Sequence, residues 1–284
     1  MKSHTEVKPA MDTMSRARRG FLHALAGLAA ASAVPALRAQ TIPLIANAEG
    51  GYRFLPVNPV FAGGAVAEQG FVHAVFFSWL PFDAGLHAVE RHLRAAGRPI
   101  RALAGLELRL PRQLTADEFA AFNAPYVERL MRWGMPVDGL NPVCRTNVAP
   151  ADEAPAEPSV HAFSYCIPVE GFPRSYVMSG MTEGGASIVA HGDTSAEGMR
   201  RKLAHVAGVV SRRLDQLGVG WRDASHIDLY SAHGFGAPPA QLLEPVLGTA
   251  LRRGLRWHHG RPPVVGLELE LEARGLAREL VVPV

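Results

Sequence analysis

Between Ala84 and Ala96 the apolar residues Leu86, Val89 and Leu93 recur at helical spacing, with Asp83 placed to cap the start and Gly97 to stop the end. A second stripe, Met199, Leu203, Val206, Val210, Leu214 and Leu217, follows a capping-box pattern at Thr194-Ser195-Ala196-Glu197 and stops at Gly218. Each predicted helix leads into a short strand, Leu103 to Leu110 in one case and Ile227 to Ser231 in the other. Each strand leads into a further helix. The first opens on the box Thr115-Ala116-Asp117-Glu118, carries Phe119, Phe122, Tyr126 and Leu130 as its stripe, and stops at Gly134. The second runs from Ala240 to Arg253 through Leu243, Val246, Leu247 and Leu251 and stops at Gly254. Each succession ends in a proline-led extended segment, Pro142-Val143-Cys144-Arg145 or Pro262-Pro263-Val264-Val265.

These landmarks keep register. Gly97 and Gly218 stand 121 residues apart, Gly134 and Gly254 stand 120, and Pro142 and Pro262 stand 120. One match means little, because glycine and proline mark boundaries everywhere. Three in order, joined by the same helix–strand–helix–strand succession, point to two copies of one α/β unit. One stripe per helix and alternating strands predict, for each copy, a mixed β-sheet with two helices packed on one face. The expected fold class is therefore α/β (α+β), with a first unit over residues 40–169 and a second over 170–284, meeting near Pro168 to Pro173.

The segment 1–39 follows another pattern. Arg18-Arg19-Gly20-Phe21-Leu22 opens an Ala- and Leu-rich run to Ala36, and Leu37-Arg38-Ala39 offers a cut before Gln40. A charged start, a short apolar run and a small-residue cleavage site make a secretory signal, and the paired arginines address it to the twin-arginine translocase. The run falls short of the roughly 20 residues of a spanning helix, so a periplasmic protein without a stable membrane anchor is expected. The chain holds 29 Lys and Arg against 26 Asp and Glu. Six of the basic and two of the acidic residues lie in the signal, which leaves 23 against 24. A mature chain so close to neutral gives no electrostatic case for a nucleic-acid partner.

Cys144 and Cys166 are the chain's two cysteines, too few for a disulfide framework, although one bridge is open to them in an oxidising compartment. The spacings C-x-x-C, H-E-x-x-H and H-x-H do not occur, and adjacent His258 and His259 would point to opposite faces of a strand, so no metal is expected. The glycine-rich loop from Gly180 to Gly192 lacks G-x-G-x-x-G, which speaks against a nucleotide site.

Several of these residues resemble the RidA (reactive-intermediate deaminase) family. They are Gly97 with the strand behind it, Phe119-Ala120-Ala121-Phe122-Asn123 with Tyr126, and Pro142-x-x-Arg145-Thr146-x-Val148. The likeness covers residues 50–169 well and 172–284 more faintly. Asn141 to Val148, Gly192-Asp193-Thr194-Ser195 and Trp257 to Val264 look most like the tandem-fused subgroup that includes 2-aminomuconate-type deaminases. The resemblance implies two RidA-like units, a homo-oligomer (a trimer) with pockets between units, and a small carboxylated metabolite as partner. It also implies an enamine or imine deaminase working by hydrolysis, with neither metal nor organic cofactor. In the family a strand arginine binds the substrate carboxylate and a glutamate positions water.

The chain departs from that pattern. Arg145 and Asn123 match, but on the strand from Ser159 to Ile167 the expected glutamate is replaced by His161, and the second copy places Val265 where Arg145 stands in the first. Arg145 is the leading substrate-binding candidate, since a guanidinium offers a carboxylate two parallel hydrogen bonds; the competing role is a structural ion pair. Thr146, Asn123 and Tyr126 join it as candidate substrate contacts, with Asn123 equally suited to capping a neighbouring backbone group. His161 has the ordinary pKa of a general base, although a histidine on a half-buried strand is more often simply hydrogen-bonded. Glu107, between Leu106 and Leu108, points either into a pocket or into solvent. Glu268, Glu270 and Glu272 share one face at period two, an arrangement more usual for a solvated face or for salt bridges to arginines than for catalytic acids. The catalytic candidates are thus His161, Glu107, Glu268 and Glu270. Two rival functions stay open: a non-catalytic small-molecule-binding or scaffold protein of the same fold, and a chorismate-processing enzyme.

Overall fold

The computed structural model describes residues 42–67, 69–169 and 174–283, so the predicted export signal lies outside the described residues. The chain opens with β1 (Ile45–Asn47), β2 (Tyr52–Pro56) and β3 (Ala62–Ala67). It continues through β4 (Gly70–Pro81), α1 (Phe82–Ala95), β5 (Leu103–Arg109), α2 (Ala116–Arg132), β6 (Cys144–Pro150) and β7 (Ser159–Ile167). The second half runs β8 (Ser175–Met178), β9 (Met181–Thr182), α3 (Ala196–Leu217), β10 (His226–Tyr230) and α4 (Pro239–Leu247). It closes with β11 (Arg256–His258), β12 (Gly260–Arg261), β13 (Glu270–Gly275) and β14 (Arg278–Val282).

Two mixed sheets result, one ordered β12-β6-β5-β7-β4-β14 and the other β1-β2-β3-β8-β13-β10-β11, with β9 also on β13. Their inner blocks, β6-β5-β7-β4 and β11-β10-β13-β8, have the same order and directions. The β5–β6 and β10–β11 pairs are parallel, and the other pairs in the blocks are antiparallel. The halves also trade strands. The first three strands extend the second sheet through β8, while β12 and β14 join the two edges of the first.

Apolar burial stacks these parts in four layers. Leu86, Val89 and Leu93 of α1 and Tyr126 and Leu130 of α2 pack on one sheet against Leu106, Leu108 and Phe163. Helices α3 and α4 cover the other sheet through Met199, Leu203, Val206, Leu214 and Leu243. Tyr52, Phe54, Phe71, Ala104, Cys166 and Val177 fill the space between the sheets. Both cysteines there are buried free thiols, so the bridge open to them in the sequence is not made. Among the described residues no helix is long and apolar enough to cross a membrane.

The predicted helices are present, with shifted ends. The first helix starts at Phe82 straight from β4, and Asp83 lies inside its first turn, where it pairs with Arg129 of α2 at 2.8 Å instead of capping. Thr115 caps α2 with the full reciprocal box through Glu118. Ser195, not Thr194, caps α3; its hydroxyl accepts from Gly198 N, and Glu197 turns outward to Arg200. The segment predicted as one helix from Ala240 to Arg253 splits at Gly248 (φ 52°), beyond which Gly248–Arg253 winds as a 3-10 helix.

The third landmark of the repeat fails. After Gly134 nine residues pass before β6 begins at Cys144, but after Gly254 only Leu255 precedes β11, which begins at Arg256. Pro262 therefore lies beyond β11 and is not the counterpart of Pro142. In the parallel pairs Thr146 stands opposite Glu107 and Arg256 opposite Asp228. With Gly97 matched to Gly218, Glu107 corresponds to Asp228, and Leu255 rather than Val265 takes the place of Arg145. Val265 instead pairs back to Leu114 beside α2.

Candidate active site

A cavity of about 350 Å³ opens where the edge of β6 meets the start of β13. Its walls come from segments far apart in sequence: Val60 and Phe61 before β3, Phe119 on α2, the loop from Ser179 to Ile188, and Pro263 to Leu267. The last segment is held by Gln113, whose side-chain amide donates to the carbonyl oxygens of Pro262, Val264 and Leu267 at 2.8–3.1 Å. Arg145, Asn147 and Glu270 converge on this largely apolar space, with Ser179 and Thr182 also in its lining.

Period-two alternation on β6 turns Arg145 and Asn147 to one side and Thr146 to the other. The guanidinium of Arg145 lies 4.2 Å over the Tyr126 ring and donates from Nη1 to Asn123 Oδ1 at 2.6 Å. Its Nε and Nη2 are buried and find no partner among the described residues. Burial pulls the Arg145 pKa down while Glu270 pushes it up, and a guanidinium so far above neutrality stays charged. Two buried N–H-bearing nitrogens left unpaired are costly unless a ligand supplies acceptors. Asn147, 6 % exposed, also has a buried side-chain oxygen without a partner among the described residues.

Glu270 is 2 % exposed and is pushed well above the ordinary carboxylate range, first by burial and then by the negative charge of Glu272. Its protonated form is favoured, and in that form it can give a proton. Gly180 leaves room beside it, since a Cβ at that position would overlap the Glu270 carboxyl as it stands. The backbone N–H of Gly180 donates to Arg145 O at 3.1 Å and to Thr146 Oγ1 at 3.2 Å, which ties the link between β8 and β9 to β6 under the cavity.

The other candidates stand elsewhere. Tyr126 is fully buried, its hydroxyl pKa pushed up to about 12 by burial, and it acts through its ring under Arg145. Asn123 neither caps a backbone group nor opens on the cavity; it holds Arg145. Thr146 faces away and donates to Glu272 Oε2 at 2.5 Å. His161 does not line the cavity: it accepts at 3.1 Å from Trp79 Nε1, and burial followed by the charge of Arg109 keeps its imidazole neutral. Glu107 points neither into the cavity nor into solvent. It is buried between the sheets with Arg274, with Arg109 at 3.4 Å and with His73 at 3.4 Å.

The three glutamates do not form a solvated face. Glu268 lies before β13 and pairs with Arg261 and His233, both at 3.1 Å. Glu272 is fully buried against Arg274, and Glu270 alone of the three lines the cavity. Asn147 was missed in the sequence, although its place two residues after Arg145 on a strand puts it on the same face. Among the described residues no group of His, Cys, Asp and Glu side chains is arranged to hold a metal ion.

Comparison with known proteins places this geometry in a family. A family model described as 2-aminomuconate deaminase CnbZ matches residues 44–280. A 2-amino-5-chloromuconate deaminase of Comamonas testosteroni is 41 % identical over 248 residues, which cover 82 % of this chain and 96 % of that protein. A crystal structure of a chorismatase superposes with a TM-score of 0.45 at 15 % identity, over 79 % of this chain and 77 % of that one, a likeness too weak to bear on function. On the family match and the 41 % identical relative, this chain belongs to the 2-aminomuconate deaminase CnbZ family.

Proposed function

We propose that the protein is a hydrolytic deaminase of an enamine or imine on a small carboxylated compound of the 2-aminomuconate type, and that it works from the Arg145–Asn147–Glu270 cavity without help from His161 or Glu107. The observation that carries the reading is the pair of unpaired guanidinium nitrogens on Arg145, in a cavity shared with the buried carboxyl of Glu270. Two tandem RidA-like units are part of the same reading, supported by the shared order of the inner strand blocks. So are a homotrimer and export by the twin-arginine route, the latter supported by Arg18-Arg19.

The substrate carboxylate next to the amine-bearing carbon docks on Nε and Nη2 of Arg145, in the bidentate geometry that a guanidinium provides. The amide oxygen of Asn147 accepts a hydrogen bond from the substrate nitrogen. Glu270, neutral at the start, gives its proton to the enamine carbon, which leaves an iminium and a carboxylate. Water adds to the iminium carbon as the Glu270 carboxylate takes one of its protons. That proton then goes to the nitrogen of the tetrahedral adduct, the C–N bond breaks, and the adduct hydroxyl gives its proton to Glu270, which restores the neutral carboxyl. The products are ammonia and a 2-oxo acid: one water is consumed and no electrons are transferred. The apolar walls, with Phe61, Phe119 and Leu267, shield the iminium from bulk solvent.

The test is ammonia release from 2-aminomuconate by the purified protein, with Arg145→Ala alongside. Stoichiometric ammonia that depends on Arg145 supports the reading. Tight binding of the compound without turnover would make the protein a binding module.

A further inference from the structure

Behind the cavity, on the side of β6 away from Arg145, lies Glu272, which the reaction as written does not use. It is fully buried on β13, two residues from Glu270 and on the same strand face. Its Oε2 accepts from Thr146 Oγ1 at 2.5 Å, and its Oε1 accepts from Tyr230 OH at 2.8 Å and from Arg274. The Thr146 hydroxyl in turn accepts from Gly180 N, the residue packed against the Glu270 carboxyl and bonded to the Arg145 carbonyl. A continuous path of hydrogen bonds thus runs from Glu272 through Thr146 to the backbone that seats both working side chains.

We propose that Glu272 is a positioning residue of this site: it clamps the strand that carries Arg145 to the strand that carries Glu270, and its carboxyl stands beside that of Glu270 on the same strand face. The proposal rests on the reading of Arg145 and Glu270 given above.

The charges around Glu272 come from every element packed against it. Arg274 is on its own strand, Asp228 and Tyr230 are on β10, and Glu107 and Arg109 are on β5. The Cys144 thiol on β6 faces Glu272 as well, while His73 on β4 meets Glu107 and Glu183 in the loop after β9 acts on Glu270. Four buried carboxyls meet here, Glu107, Asp228, Glu270 and Glu272, and Asp228 also pairs with Arg256 at 2.8 Å. A proton is held most easily by the one with no guanidinium against it. Geometry selects Glu270, the member of the four without an arginine partner among the described residues. Burial raises Glu272 as well, to about 7, and Arg274 works against that rise.

Two variants separate the roles, with steady-state kinetics on 2-aminomuconate across pH as the readout. Glu272→Gln removes the charge and is expected to lower kcat roughly tenfold with little change in KM. It should also move the alkaline limb of the pH profile about one unit lower, because a lost neighbouring charge lowers the Glu270 pKa. Thr146→Val keeps the charge and cuts the path, so kcat should fall while the limb stays in place. Glu272→Asp should restore the limb. Wild-type kcat and an unmoved limb in Glu272→Gln overturn the proposal, as does a KM rise with kcat intact. If Glu272→Gln fails to fold, Thr146→Val carries the test, and wild-type kcat there overturns the clamp. Glu270→Gln is the control: if it keeps full activity, the reading of the site fails and takes the proposal with it. If it is inactive while both neighbouring variants behave as wild type, only the proposal fails.

Discussion

Two buried arginines stand a short way apart in this protein and teach opposite things. Arg274, between the sheets, meets Glu107, Asp228 and Glu272, and its pKa is held well above the ordinary value although burial opposes it. Arg145, at the cavity, has one side-chain oxygen on one nitrogen, an aromatic ring below it, and two nitrogens with no partner among the described residues. Burial costs both the same kind of desolvation. Where the partners are all built in, the arginine is structure; where they are withheld, the donors are kept for a ligand.

The comparison breaks first if Arg274 proves dispensable. Arg274→Met strips Glu107, Asp228 and Glu272 of their shared counter-charge, and the expected loss is about 3–5 kcal/mol of unfolding free energy in denaturant titration. Arg145→Met, measured alongside, is expected to cost about 1 kcal/mol or less, since it leaves no buried charge unpaired at neutral pH. Next comes ligand affinity. Arg145→Ala should weaken carboxylate binding by about 1.5–3 kcal/mol, roughly tenfold to over a hundredfold by calorimetry. Arg145→Lys should recover only part, because a point charge replaces a planar fork.

Smaller effects sharpen the picture. Tyr126→Leu removes the ring under the guanidinium and should cost about 1–2 kcal/mol of the same affinity, with the fold intact by circular dichroism. The inter-sheet cluster should also respond to acid. Burial, followed by the charge of Arg274, lowers the His73 pKa from 6.5 to about 3. A lowered histidine contributes stability that is present above the unfolded pKa and is lost as pH falls through 6.5 toward 3. Between pH 6.5 and 5.5 the wild type should lose about 1 kcal/mol from this source, and His73→Gln should flatten that slope.

The sequence was most legible where a single segment decided the outcome. The stripe Leu86, Val89 and Leu93 needed only its own period to be placed on a sheet, and Thr115 with Glu118 needed only each other. Arg145 and Asn123 could be named because each lies in a local motif. Legibility failed where distant strands decide. Nothing local separates Glu270 from Glu268 or Glu272; the difference arises because β13 lies beside β10 and faces β6 and the Ser179–Ile188 loop. His161 and Glu107 read as candidates because a buried titratable group on a strand looks the same whether it faces a cavity or a second sheet. The second sheet is what made Glu107 interior, while His161 stays half-buried beside Trp79. Pro262 misled for a related reason: a proline after a glycine stop reads alike whether the loop between them is long or absent.

The most direct test of the account is a crystal structure with a 2-oxo dicarboxylate product bound. The carboxylate oxygens are expected about 2.7–2.9 Å from Nε and Nη2 of Arg145, with the 2-oxo carbon facing Glu270 and Asn147. A ligand seated elsewhere, or Nε and Nη2 taken up by protein groups while the ligand is bound, would contradict it.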